Sequence, residues 1–346
     1  MVFFGCCAER VDMANSRTRG PLDTSVFDFQ PFTDDVAGPI GVRFNDFGIR
    51  NSPGSLGLND WASFVGTVCT FAAPMASTGI CACNRDITLD ELCKIYSARK
   101  RETCETYLPF LNATFKHYDI STCLRKAHFL AQVGDESAEL RYTAEVLPKG
   151  KKESQVYDGY KGRGLIQITW RKNYKAYGDA VDHNFLNKHK KDLEQPKWAT
   201  DSAGWYWTEG ASEDLNGLAD KNDLLAITAL VNGAFNGFED RRKHLETAMK
   251  VLGANECKTA NVKNPYLPFK DSEVHDNRVQ SFAWGAWNDP KTGKKGVVAS
   301  VDARKEGYLR YLELLKELEK EGKKETKHHY GFSPEKMKSL AEEGSK

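Results

Sequence analysis

The run Ala127-His128-Phe129-Leu130-Ala131-Gln132-Val133-Gly134-Asp135-Glu136-Ser137 decides how the chain is read. With Leu124 upstream, its apolar side chains make a broad face at helical spacing. Asp119 or Ser121 supplies the start of that helix. Glu136 therefore comes at the end of a helix already committed to a core. Partial burial disfavours the ionised form of a carboxyl group, and the adjacent Asp135 charge pushes the same way. A raised pKa suits a group that gives up a proton near neutrality. A solvated glutamate at a helix end is the plainer reading of the same residue.

Working outward, Glu145 lies nine residues further on, in Tyr142-Thr143-Ala144-Glu145, with Glu153 and Asp158 as rival carboxylates. Pro148 to Ser154 carries a glycine and several charges, which reads as an exposed loop or as a basic rim over a groove. The run Tyr160-Lys161-Gly162-Arg163-Gly164-Leu165-Ile166-Gln167-Ile168-Thr169 follows. Its glycines allow tight turns and close approach. Gln167 and Thr169 alternate with Ile166 and Ile168, as in a strand that presents both polar groups to one face.

Ala127 to Ser137 with the Tyr160 to Thr169 run resembles the family 19 glycoside hydrolases, a lysozyme-like group of chitinases and phage-type endolysins. The resemblance extends from about Asp86 to about Gly253. It implies a mainly α, lysozyme-like α+β catalytic domain with a small β and loop region lining a substrate cleft. Such enzymes need one carboxyl group that donates a proton to the leaving oxygen and a second, ionised one. The resemblance gives the first role to Glu136 and the second to Glu145, ahead of Glu153 and Asp158, and has Thr169 hold the attacking water. It makes Gln167, Asn173, Asn232 and Tyr160 substrate contacts, with Arg163 and Arg241 supporting the acids. Where the family usually has His before the acid, this chain has Asp135.

The implied substrate is peptidoglycan or chitin. Peptidoglycan is preferred because the two motifs look endolysin-like and no chitin-binding cysteine module precedes them. A secretion-system component or an immunity protein is the expected partner of an antibacterial effector, the alternative being a phage-type lysis enzyme. A glycan-binding protein that lost its chemistry is the reading from another class. No cofactor is implied.

Composition agrees with a globular protein: 40% of residues are hydrophobic and 28% charged. Forty-nine basic side chains against 48 acidic ones leave a net charge of +1, which argues neither for nucleic acid nor for a membrane surface. No apolar run reaches the length of a membrane span. Met1 to Arg10 lacks the basic leader and apolar core of a secretory signal, so synthesis in the cytoplasm and delivery to the cell wall by other means are expected.

Residues 1–85, with Gly20-Pro21, Gly38-Pro39, Pro53-Gly54 and Ala73-Pro74, read as an irregular arm or a targeting segment in which only Leu58 to Ala73 is apolar enough to pack. Residues 86–318 read as the catalytic domain, with an insertion at about 257–300, and 319–346 as a charged tail. Thr88 and Glu91 have capping-box spacing. Ala203 to Trp207 reads as core, and Trp284 and Trp287 as covering the core. Nine cysteines are many for a reducing compartment. Cys81-Ala82-Cys83 with Cys69 and the Cys6-Cys7 pair forms no familiar zinc pattern, so no metal is expected. Cys93, Cys104 and Cys123 read as free core thiols or as a Cys104 to Cys123 bridge.

Overall fold

The computed structural model describes residues 81–257, 262 and 265–346. The apolar segment at 58–73 and the cysteines at 6, 7 and 69 lie outside the described residues. Within them the chain is mainly helical, as expected. The helices are α1 (Leu89–Ile95), α2 (Arg101–His117), α3 (Cys123–Glu136), α4 (Arg171–Ala180), α5 (Pro196–Trp205), α6 (Leu215–Asp220), α7 (Leu224–Asn232), α8 (Phe238–Val251), α9 (Arg278–Trp287), α10 (Val301–Lys320) and α11 (Pro334–Gly344). Among the described residues no helix is long and apolar enough to cross a membrane.

Helix α3 is the axis of the fold. Thr122 caps it, its side chain accepting from Arg125 N–H, so the helix starts just after the positions read from sequence. Every residue from Ala127 to Gly134 is buried. Around α3 pack α6, α7 and α8, while α2 packs on α5. Thr88 and Glu91 form the reciprocal capping box at the start of α1. Asp223 caps α7 through Ala226 N–H, and its two oxygens also accept from Ser272 Oγ (2.8 Å) and Glu273 N–H (2.9 Å), which ties the 272–273 turn to α7.

One reading of the C-terminal third changes. Residues 319–346 are not a solvated tail: Ser333 caps α11, and Met337, Leu340 and Ala341 are buried where α11 packs on α9 and α10. The many charges hid an apolar stripe at three- and four-residue spacing. Trp284 and Trp287 are buried, with edge-on contacts to Phe235, so these two side chains cover the core as expected.

The Cys104 to Cys123 bridge does not form. Cys104 is buried beside Cys93, whereas Cys123 meets Cys81, Cys83 and Cys257 at the start of α3.

Candidate active site

At its far end α3 delivers Glu136 into a polar cluster inside the core. Arg241, on α8, is 1% exposed and its Nη2 lies 2.5 Å from Glu136 Oε1 and 2.7 Å from Asp135 Oδ2. Its Nη1 donates to Gln132 Oε1 at 2.5 Å. Gln132 stands one helical turn before Glu136, so the spacing of four residues puts both on the face that meets α8. The Glu136 side chain is 11% exposed. Burial raises its pKa, Arg241 opposes the shift, Asp135 reinforces it, and the net direction is upward. Asp135 is raised for the same first reason, burial, again against the pull of Arg241. One guanidinium thus serves two carboxyls, and a proton on either one relieves the excess negative charge.

The placement of Asp135 depends on a glycine. Gly237 has φ +69°, and a Cβ there would come within 2.6 Å of Asp135 Oδ2. Neither Gln132 nor this glycine was singled out from sequence, although the position of Gln132 four residues before the acid was the signal for it. Tyr206 was also missed as a neighbour of the acid. It follows α5 in a π-turn, its hydroxyl donates to Leu230 O (2.8 Å), and its own ionisation is opposed first by burial and then by the Glu136 charge.

The chain turns back sharply after Glu136. Ala138, Glu139 and Leu140 all have positive φ (47°, 57° and 68°), a left-handed turn of three non-glycine residues in succession. Such backbone costs energy and persists only where the surroundings enforce it. Ser137 is the enforcer: its Oγ donates to Val133 O and accepts from Leu140 N–H, while its carbonyl accepts from Arg141 and Tyr142 N–H. Glu139 N–H reaches back to Gly134 O.

This reversal leads residues 143–145 along the glycine-rich run. Gly164 N–H donates to Thr143 O (2.9 Å) and Glu145 N–H to Gly162 O (2.8 Å). The Glu145 carboxylate accepts from Gly162 N–H at 3.0 Å, and Lys161 Nζ donates to the Glu145 carbonyl. Glu145 is therefore half-buried and fixed by backbone donors.

The strand expected at Gln167 to Thr169 is absent. Arg163 and Ile168 exchange both backbone hydrogen bonds and close a tight loop, with Gln167 at φ +55° and its side-chain amide donating to Gly164 O. Period-two alternation here reflects a folded loop with isolated bridges, so it does not place Gln167 and Thr169 on one strand face. Thr169 and Asn173 are half-buried at the exit of this loop.

Tyr160 is 6% exposed, edge-on to Tyr174 and beneath Lys190 Nζ, so its ring takes part in the packing of the loop. Asn232 ends α7 before left-handed Gly233, and its Oδ1 accepts from Asn236 N–H.

Arg163 holds this wall together from within. It is 1% exposed and donates to Glu194 Oε1 (2.7 Å), Glu153 Oε2 (2.9 Å) and Tyr174 OH (3.0 Å). Glu153 also pairs with Lys190 at 2.8 Å. Burial alone would raise the Glu153 pKa, but the hydrogen bonds from Arg163 and Lys190 prevail and hold it at about 2. With both oxygens engaged by cations, Glu153 is a structural anchor. Asp158 is exposed, with φ +53°. An open cavity of about 500 Å³ beside α4, lined by Tyr174, Asp179, His183 and Phe185 among others, includes none of these acids.

No family model matches the chain. Among curated proteins it is 30% identical over 120 residues to Endochitinase CHI of Arabidopsis thaliana, covering 31% of this chain and 43% of that one. It is 32% identical over 109 residues to a glycosyl hydrolase family 19 domain-containing protein of Haemophilus influenzae, covering 30% of this chain and 48% of that one. The chain thus spans less than half the length of these relatives. Among solved structures, chitinase C from Streptomyces griseus superposes with a TM-score of 0.40 at 24% identity, over 48% of this chain and 76% of that one. The second of these relatives is named for a glycosyl hydrolase family 19 domain, the family that the motifs of this chain resemble.

Proposed function

We propose, from this kinship with family 19 glycoside hydrolases, that the chain hydrolyses β-1,4 bonds between N-acetylated hexosamines of peptidoglycan, with inversion at the anomeric carbon. The observation that carries the reading is Glu136: a buried carboxyl on a rigid helix, its pKa raised by burial and by Asp135 and restrained by Arg241. Such a group can hold a proton near neutrality and pass it to the departing glycosidic oxygen. Glu145, on the backbone-anchored segment beyond the left-handed turn, is the base that draws a proton from water, with Thr169 positioning that water. Separations of about 6.5–9.5 Å between acid and base admit a water molecule and give inversion. Glu153, tied down by Arg163 and Lys190, has no comparable freedom to accept a proton.

Chitin is the second reading, favoured by the curated relatives that are named endochitinases. Mass spectrometry of products from both polymers separates the two, since muropeptide fragments carry lactyl groups and chitin oligomers do not. A folded native chain that releases no reducing ends from either polymer, indistinguishable from Glu136→Gln, would overturn catalysis and leave a glycan-binding protein.

A further inference from the structure

At the opposite end of α3 from Glu136, four cysteines drawn from three distant parts of the chain converge. Cys81 and Cys83 come from the segment before α1, Cys123 is the first residue of α3, and Cys257 follows α8. Their sulfurs all lie within 4.8 Å of one another. Cys123 Sγ is 2.8 Å from Cys83, 3.1 Å from Cys257 and 3.8 Å from Cys81, and Cys83 is 3.3 Å from Cys257. Cys81 and Cys257 are joined, leaving Cys83 and Cys123 as thiols packed on the pair. No single pairing accounts for this arrangement, because each sulfur touches more than one partner. Four thiolates around one tetrahedral zinc, each bond about 2.3 Å, would stand about 3.8 Å apart.

The surroundings suit charged sulfur. Cys123 N–H donates to Cys83 Sγ at 3.0 Å, and these groups sit at the positive end of a 14-residue helix. Lys126, one turn along, is 2% exposed, and its ammonium is fixed by Ala82 O (2.7 Å) and Arg85 O (2.6 Å) beside the cluster.

We propose that, once a thiol reductant has opened the Cys81–Cys257 bond with two electrons, Cys81, Cys83, Cys123 and Cys257 give up their protons and form a four-thiolate zinc site that fastens the start of α3 to the segments before α1 and after α8. Four protein ligands leave no open position, so the role is structural. The site stands at the other end of α3 from the acid, about 20 Å away by helical rise. It revises the expectation of no metal.

Full-length protein purified under mild reductant without added metal should contain about one zinc per chain by elemental analysis. Cys123→Ser and Cys257→Ser should lose it, while Cys93→Ser, outside the cluster, should keep it. Replacement by cobalt(II) should give the strong sulfur-to-metal charge-transfer absorption of tetrahedral thiolate coordination. Should the serine variants fail to fold, the native chain still decides. Alkylation followed by peptide mapping should find the four thiols reduced and protected until a chelator is added. A Cys81 to Cys257 disulfide in metal-free folded protein, or zinc retained by Cys123→Ser, overturns the proposal.

Discussion

Asp135 and Glu136 meet the same nitrogen, Arg241 Nη2, at 2.7 and 2.5 Å. Adjacent residues on a helix normally diverge, so this convergence at the end of α3 is a deliberate concentration of like charge around one cation. It makes the Glu136 proton depend on two neighbours at once.

Glu136→Gln should abolish glycan cleavage, lowering kcat by about 10²–10⁴-fold or more while circular dichroism stays native. It should also raise the thermal midpoint at neutral pH. The sign follows from linkage. The folded pKa of Glu136 lies above its ordinary value of 4.5, so its ionisation costs stability as pH rises through the raised pKa, and that cost vanishes below the unfolded value. The gain from Gln should therefore be larger at neutral than at acidic pH, and equal midpoint shifts at both would refute it.

Asp135→Asn removes a charge that raises the Glu136 pKa. Because a general acid works in its protonated form, the alkaline limb of the kcat profile should move to lower pH. An unmoved limb would mean that Asp135 does not tune the acid.

Arg241→Gln leaves two carboxyls in the core without their cation. The expected cost is about 3–5 kcal/mol, read as a lower denaturant midpoint. The loss should be greatest at neutral pH and smaller in acid, where the carboxyls are protonated.

Glu145→Gln and Glu153→Gln separate the two rivals. The first should lower kcat by about 10²-fold or more with little change in stability. The second should act on stability. Its folded pKa, held at about 2, is depressed, so Glu153 contributes stability above its ordinary value of 4.5 that is lost as pH falls towards about 2. Glu153→Gln should flatten the acid-unfolding curve across that window. The opposite pattern would exchange their roles.

Ala138→Gly tests the turn after α3. Ala138 is exposed at φ +47°, a conformation that glycine adopts without penalty. The expected gain is about 0.5–1 kcal/mol, after the entropy glycine adds to the unfolded chain, with activity unchanged. A lower midpoint would show that the left-handed turn carries no strain.

Sequence legibility followed the range of the interactions. The helix bearing Glu136 and the capping box of Thr88 and Glu91 were readable because local spacing determines both. Arg241 was placed beneath the acids only by the resemblance, and local spacing could not show its pairing with Asp135, since folding joins positions 106 residues apart. Ile166 to Thr169 misled for a different reason: alternation of polar and apolar residues fits a strand, but Gly164 and the left-handed Gln167 fold it into a closed loop. Cys81 and Cys83 looked inert as a pair because their companions, Cys123 and Cys257, lie 40 and 174 residues from Cys83. In α11 the stripe of Met337, Leu340 and Ala341 was present in the sequence and masked by the lysines and glutamates around it.

That last helix sets the boundary for handling the protein. A side chain at Gly344 would collide with Tyr308, which is how closely α11 is seated against α10. A chain shortened at residue 318, the boundary that charge alone suggests, would uncover Tyr308 and neighbouring apolar surface and invite aggregation. Affinity handles and fusion partners belong after Lys346, where they leave that seat occupied.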